Sequence, residues 1–320
     1  MWNTVQQIFP YAVGYTIPLL IVALGALYCE RSGIVNVGLE GLMVVGSFAA
    51  AFTIVNLQDK LPASEFGNLA IWLGLLAAIV VGVVFSLLHA FASINLNANQ
   101  IISGTAINMI AGALTIFLAR NITGSGNIRI MRGFSQSDIP LLSDIPIIGD
   151  LFFTKTYSST WLVLGILLIS IFILYKTKFG LRLRACGENP QAADSAGINV
   201  YRMRYAGVMI SGALAGLGGG IILVTYSGEF NGSVAGLGFL ALAALIFGQW
   251  KPVGILATTL FFGFATTIAN VSQVIPSLGS IPPLLLKTFP YVITLVALII
   301  FSKSSQAPKA AGEAFDSGKR

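Results

Sequence analysis

Three groups of polar residues stand out in a chain that is otherwise apolar. Projected at 100° per residue, Gln100, Ser103, Gly104, Asn108, Ala111 and Thr115 fall within roughly 140° of one another, and Ile102, Ala106, Met109, Ile110, Ala113, Ile116 and Phe117 fill the opposite side. Amides and hydroxyls on one stripe can bond a neutral polyhydroxylated solute without demanding a charge on it. The alternative for such a stripe is hydrogen bonding between helices. The second group centres on Glu40, with Asn36 and Ser47 on the same helical face. An acid within an apolar span is costly and faces protein or water. It is either a path-lining or gating acid, or a structural acid held by helix N-termini or by Arg31. The third group is the segment from Arg184 to Asn199. Asn189 suits an N-cap, Pro190 the first helical position and Gly197 the left-handed residue that ends a helix. A two-turn helix over 190–196 follows, with the small side chains Ala192, Ala193, Ser195 and Ala196. Such a helix can enter a groove on a partner or cap its own bundle. His89 and Glu229 are weaker candidates, and a lone buried histidine reads as a satisfied structural group.

The rest of the composition restricts the chemistry. Among 320 residues, 56% are hydrophobic and only 9% are charged, against about 25% charged in a soluble domain. The mean hydropathy is +0.85. Nine helices of about 20 residues would use about 180 positions, close to the whole apolar content, which leaves little for a soluble catalytic domain. No Walker A pattern, H-E-x-x-H pair or G-x-S-x-G elbow occurs. Two cysteines, Cys29 and Cys186, make no disulfide framework, and one histidine makes a histidine-based metal site an unpromising reading. The net charge of +6 is spread over loops between spans, which is a topology signal and not a nucleic-acid surface. Met1 to Pro10 lacks a basic start and an A-x-A cleavage site, so the first apolar run reads as a retained helix.

Charged residues punctuate the chain into helices near 11–29, 34–55, 69–94, 99–118, 158–175, 206–226, 234–249, 253–272 and 284–302. The fold class is therefore all-α, a polytopic transmembrane bundle of about nine spans occupying 1–303. An external loop covers about 119–157 and a second loop about 176–204. Placing the latter in the cytoplasm puts 12 of the 18 basic residues inside. The C-terminus is then cytoplasmic, the N-terminus outside, and 304–320, rich in Ala, Ser, Gly and Lys, a disordered cytoplasmic tail. Glycines at fourth positions, Gly212, Gly216 and Gly220 and again Gly228, Gly232 and Gly236, allow close helix approach. Intramolecular packing is favoured over a dimer seam.

The segment Gly187-Glu-Asn-Pro-Gln-Ala-Ala-Asp-Ser-Ala-Gly-Ile-Asn-Val200 resembles the coupling-helix loop of ABC importer permeases of the ribose, nucleoside and branched-chain amino acid group. Arg31-Ser-Gly-Ile-Val-Asn-Val-Gly-Leu-Glu-Gly41, Asn99-Gln-Ile-Ile-Ser-Gly-Thr-Ala-Ile-Asn108 and Gly238-Phe-Leu-Ala-Leu-Ala-Ala-Leu-Ile-Phe-Gly-Gln-Trp-Lys-Pro252 agree in order. Within the group the chain looks most like the shorter permease of nucleoside importers. Gln249 departs from the pattern, where an arginine is expected in many relatives.

The resemblance implies a bacterial inner-membrane protein without its own catalytic site or cofactor. It also implies a cytoplasmic ATPase that binds ATP, a second homologous permease in a heterodimer, a membrane-anchored binding lipoprotein and a nucleoside substrate. Gly187, Glu188, Asn189, Pro190, Ala192, Ala193, Ala196 and Gly197 would then contact the ATPase. Glu40, Ser47, Gln100, Ser103, Asn108 and Thr115 are the candidate substrate path. A permease for a simple sugar such as ribose is the near alternative. An ion-coupled transporter would have to rely on Glu40 and His89, and an intramembrane enzyme lacks an assembled nucleophile and base.

Overall fold

The computed structural model describes residues 2–147, 149–271 and 306–316, with isolated positions at 285, 288, 289, 292 and 318. The chain runs through α1 (Trp2–Arg31), α2 (Leu39–Gln58), a single turn α3 (Ala63–Phe66) and α4 (Leu69–Ala90), which continues as a π-helical turn, Phe91–Asn95. After α5 (Gln100–Thr123) come α6 (Ser158–Lys176), α7 (Lys178–Glu188) and α8 (Pro190–Ser195). Next is α9 (Val200–Ile222), ending in a π turn at Leu223–Ser227, followed by α10 (Leu237–Phe247) and α11 (Pro252–Val271). Two short strands, β1 (Ile128–Arg129) and β2 (Glu229–Phe230), pair antiparallel and tie the long loop to the end of α9.

Seven of the described helices are long and apolar enough to cross a membrane, and the protein is a multi-pass membrane bundle. α1 and α9 form its centre. Leu20, Ile21, Val22, Ala23 and Leu24 of α1 are fully buried. α4, α5 and α6 form the rim, where Val84 (60% exposed), Met109 (76%) and Leu168 (67%) face outward. In water such a surface would be a liability. In lipid it is the expected exterior.

Small residues set how closely the central helices meet. A Cβ at Gly216 would run into the Ala78 carbonyl, one at Gly219 into the Met43 carbonyl, and one at Gly212 into the Ser86 side chain. The glycine series of α9 therefore serves packing within the chain. The series Gly228, Gly232 and Gly236 does something else: all three adopt positive φ (+67°, +80° and +79°), a conformation that glycine adopts without strain, so they shape turns.

Some boundaries differ from the sequence reading for physical reasons. The second span begins at Leu39 and not at 34, because residues 34–38 form a non-helical elbow between α1 and α2. The loop 176–204 contains a further helix, α7, that its charge density conceals. The expected helix 234–249 shrinks to the 11 residues of α10. The expected helix 284–302 lies outside the described residues.

Candidate functional site

The polar stripe of α5 faces the elbow. Gln100 Oε1 accepts from the Val35 N–H (2.7 Å). Asn108 accepts from the Gly41 N–H (2.7 Å) and donates to the Val37 carbonyl (3.1 Å). Ser103 Oγ lies 3.0 Å from His89 Nδ1, and His89 Nε2 lies 3.1 Å from the Val35 carbonyl. A carbonyl can only accept, so Nε2 carries the proton and Ser103 donates to Nδ1. Thr115 donates to the Ala111 carbonyl one turn back. The face was legible in the sequence, but its hydrogen bonds end on the chain's own backbone and on His89. The stripe therefore holds the elbow and the first turn of α2, and His89 is a satisfied buried group. Asn36 extends the same network, bonding Ser211 on α9 (3.1 Å) and accepting from the Gly38 N–H (3.0 Å).

Glu40 caps another helix. Its carboxylate accepts from the Gly236 N–H (2.8 Å) and the Gly238 N–H (2.7 Å) at the start of α10. Gly238 is glycine for lack of room, since a Cβ there would clash with the Glu40 backbone. At 1.5 Å per residue, the 11 residues of α10 reach about 16 Å, half of a hydrocarbon core of about 30 Å. The far end of α10 is fixed beside α1, because Arg31 Nη2 donates to the Trp250 carbonyl (2.8 Å) and the Trp250 indole donates to Glu30. The N-terminus of α10 therefore stops at membrane depth, where its positive end is already answered by Glu40. Ser47, one face of α2 further on, is buried.

A cavity of about 480 Å³ opens beside that helix start. Tyr15 of α1 and Tyr226 of α9 form its aromatic wall, with ring centroids 4.6 Å apart. Ser227, Asn231, Ser233, Thr266 and Asn270 supply hydroxyls and amides, and Ile222, Val234, Leu237 and Leu240 the apolar remainder. None of the described lining residues is charged. The volume lies within the range of about 300–1,000 Å³ usual for small-molecule pockets. Tyr15, Tyr226 and Thr266 to Asn270 lie toward the helix ends remote from Arg31, Arg204 and Pro252, so the cavity opens on the face opposite α7 and α8. Sequence reasoning missed it because its residues come from four separated segments, none with a periodic polar stripe.

On the other face, Asn189 caps α8 as its position demands, accepting from the Ala192 N–H (3.0 Å), and Gly197 takes φ +80°. The short helix is two-sided. Gln191, Ala192, Asp194, Ser195, Ala196 and Gly197 are exposed together with Glu188 and Asn189, whereas Pro190, Ala193 and Gly187 turn inward. Ala193 is 4% exposed and packs with Cys186, Val200 and Phe315. Its small size thus serves the chain's own core, and of the three alanines only Ala192 and Ala196 face a potential partner. Phe315 belongs to the stretch expected to be disordered. Residues 306–316 are instead packed on this face, with Pro308, Ala310 and Phe315 buried. The composition is poor in apolar residues, but the few present sit at the contact points.

The chain is thus a polytopic bundle with a cavity on one face, uncharged among its described lining residues, and a small, capped, exposed helix on the other. The chain belongs to the family of branched-chain amino acid transport system permease components, which matches residues 9–299. It is 46% identical to the guanosine ABC transporter permease protein NupQ of Bacillus subtilis (strain 168), covering 98% of this chain and 97% of that protein. It is 44% identical to the nucleoside ABC transporter permease protein NupC of Lactococcus lactis, covering 97% and 96%. A second Bacillus subtilis protein, the guanosine ABC transporter permease protein NupP, is 26% identical over 82% of this chain and 74% of its own length. Bacillus subtilis thus has two different permeases of this kind named for guanosine.

Proposed function

We propose that this chain is the nucleoside-carrying permease of an ATP-driven importer. It pairs with a second, homologous permease, takes its substrate from a binding lipoprotein, and rests on a cytoplasmic ATPase through the exposed face of α8. The cavity carries the reading. Its wall offers ring faces for a base, hydroxyls and amides for a ribose and, among the described residues, no charge for the ammonium or carboxylate of an amino acid. Near-full-length identity to permeases named for guanosine and nucleosides supports the same substrate class.

With α7 and α8 in the cytoplasm, the cavity faces outward and receives substrate from outside. Closure of the ATPase on ATP drives α8, and the bundle changes the side on which the path opens. The chain itself supplies no bond-breaking step. The energy comes from the partner, which must bind the two conformations with different affinity to shift them. Glu40 keeps the α10 N-terminus in place and neutralised, which suits a neutral solute.

The test is substrate competition in proteoliposomes carrying the complete complex. Uptake of labelled guanosine should be competed by other nucleosides and not by leucine or ribose. Tyr226→Ala, which removes one ring of the aromatic wall, should raise KM about tenfold, since base stacking on an aromatic side chain contributes about 1–3 kcal/mol. Competition by leucine at nucleoside concentrations, or an unchanged KM in Tyr226→Ala, would remove the cavity from the path.

A further inference from the structure

Residues 306–316 touch α7, α8, the start of α9, the residue before the elbow and the α10–α11 corner. The Ala310 N–H donates to the Gly187 carbonyl at the end of α7 (2.9 Å), and the Gly312 N–H donates to the Gly33 carbonyl at the start of the elbow (3.1 Å). The Gln306 N–H donates to Gln249 Oε1 at the α10–α11 corner (3.1 Å). Arg204, at the foot of α9 and 1% exposed, donates from Nη1 to the Glu313 carbonyl (3.0 Å). Its guanidinium also lies 5.8 Å from the centre of the Phe315 ring. Nε and Nη2 of Arg204 find no other hydrogen-bond partner among the described residues. Phe315 stands edge-on to Tyr201 (5.3 Å) and closes the small core formed by Cys186, Ala193 and Val200. At Gly187 an added Cβ would meet the Arg31 carbonyl and Pro308, so the glycine lets tail and helix come together.

Ordering eleven residues costs conformational entropy, and a solubilising tail has no reason to be ordered. α7 also packs directly on α1 and α9, and α8 on α9, and Arg31 and Glu188 form an ion pair at 3.6 Å, with the Glu188 side chain 46% exposed, a geometry that contributes little. The tail adds a hydrogen-bonded bridge to this packing, from Gly187 at the end of α7 to Gly33 beside the elbow. Beyond the elbow, the Asn36, Asn108 and Glu40 bonds continue to α9, α5 and α10.

We infer that residues 306–316 are a strap that fastens α7 and α8 to the elbow, so that displacement of α8 by the ATPase reaches α2 and the capped start of α10. The inference rests on the reading of α8 as the ATPase contact. Arg204 and Phe315 are its positioning residues: Arg204 pins the strap to α9, and Phe315 pins it to Ala193 behind α8.

The strap predicts loss of coupling with retention of hydrolysis. In proteoliposomes with the complete complex, a chain ending at Ser305 and the point variant Phe315→Ala should each assemble and hydrolyse ATP. Nucleoside moved per ATP should fall about tenfold, within the usual range of coupling between sites. Both quantities are measured per assembled complex, so misfolded chains do not contribute, and Phe315→Ala decides if the shortened chain fails to assemble. The shortened chain should also expose Cys186 to thiol reagents. Wild-type nucleoside per ATP in these variants would overturn the inference. So would hydrolysis and uptake falling in proportion, or Cys186 remaining as protected as in the full chain. Ala192→Arg, on the exposed side of α8, separates the strap from the reading beneath it. If that variant also transports normally, the ATPase contact is misplaced; if it stops transport while the strap variants do not, only the strap is wrong.

Discussion

Glu40→Gln distinguishes a capping acid from a gating acid. In the structure the carboxylate occupies both oxygens, one on Gly236 and one on Gly238. Glutamine keeps one acceptor and turns an NH₂ toward the other N–H, leaving a buried donor without a partner, at about 1–3 kcal/mol. It also removes the charge from the positive end of α10, at about 0.3–1 kcal/mol in ordinary geometries. Together these amount to roughly 1–4 kcal/mol, enough to lower an apparent Tm by about 5 °C. Ala235 and Leu237 flank Gly236 and line the cavity, so KM for a nucleoside should rise as the helix start loosens. The assay is thermal unfolding of purified protein beside uptake per folded molecule for Glu40→Gln and Glu40→Asp, the latter too short to serve both N–H groups unstrained. A Glu40→Gln protein with the wild-type Tm and no uptake would refute the cap. It would make Glu40 a titrating or gating acid, as in an ion-coupled transporter.

Other outcomes follow from the same geometry. Ala193→Arg should unfold or destabilise the α8 region by several kcal/mol, because an unpaired charge is forced against Phe315 and Val200; Ala192→Arg should leave Tm unchanged and abolish ATP-dependent uptake. Gly219→Leu should prevent stable assembly of the bundle, since even a Cβ meets the Met43 carbonyl, and overpacking costs about 1–3 kcal/mol or more; normal expression and Tm would contradict the close α2–α9 approach. Burial pushes the Cys186 thiol up to about 11, so maleimide labelling should be slow at pH 7 and rise tenfold per pH unit until the thiolate fraction saturates near 11. A plateau near pH 9 would show an ordinary exposed thiol.

The sequence specified helices more completely than depth. The span read at 158–175 is observed as Ser158–Lys176, and Asn99 and Asn189 cap the helices that their positions announce. Local capping chemistry and apolar run length depend on neighbours in the chain, and both were legible. The shortness of α10 was not: Leu237–Phe247 is as apolar as any span, and only the contact of its start with Glu40, 196 residues away, shows where it stops. The same limit affected the polar stripe, where periodicity identified the buried face of α5 but not the elbow backbone that occupies it. Ala193 and Ala192 are chemically identical, and only the packing of Ala193 on Cys186, Val200 and Phe315 distinguishes them. The tail itself escaped notice because composition averages over residues, whereas docking needs only Pro308, Ala310 and Phe315 in register with a waiting surface.

The central claim is that this chain moves nucleosides at the expense of ATP hydrolysed by a partner held on α8. It is tested most directly by labelled guanosine uptake into proteoliposomes containing the chain, its partner permease and the ATPase, with binding protein supplied outside. The account predicts accumulation that requires internal ATP, persists in the presence of a protonophore and disappears in Ala192→Arg. Accumulation without ATP that collapses with the protonophore would contradict it.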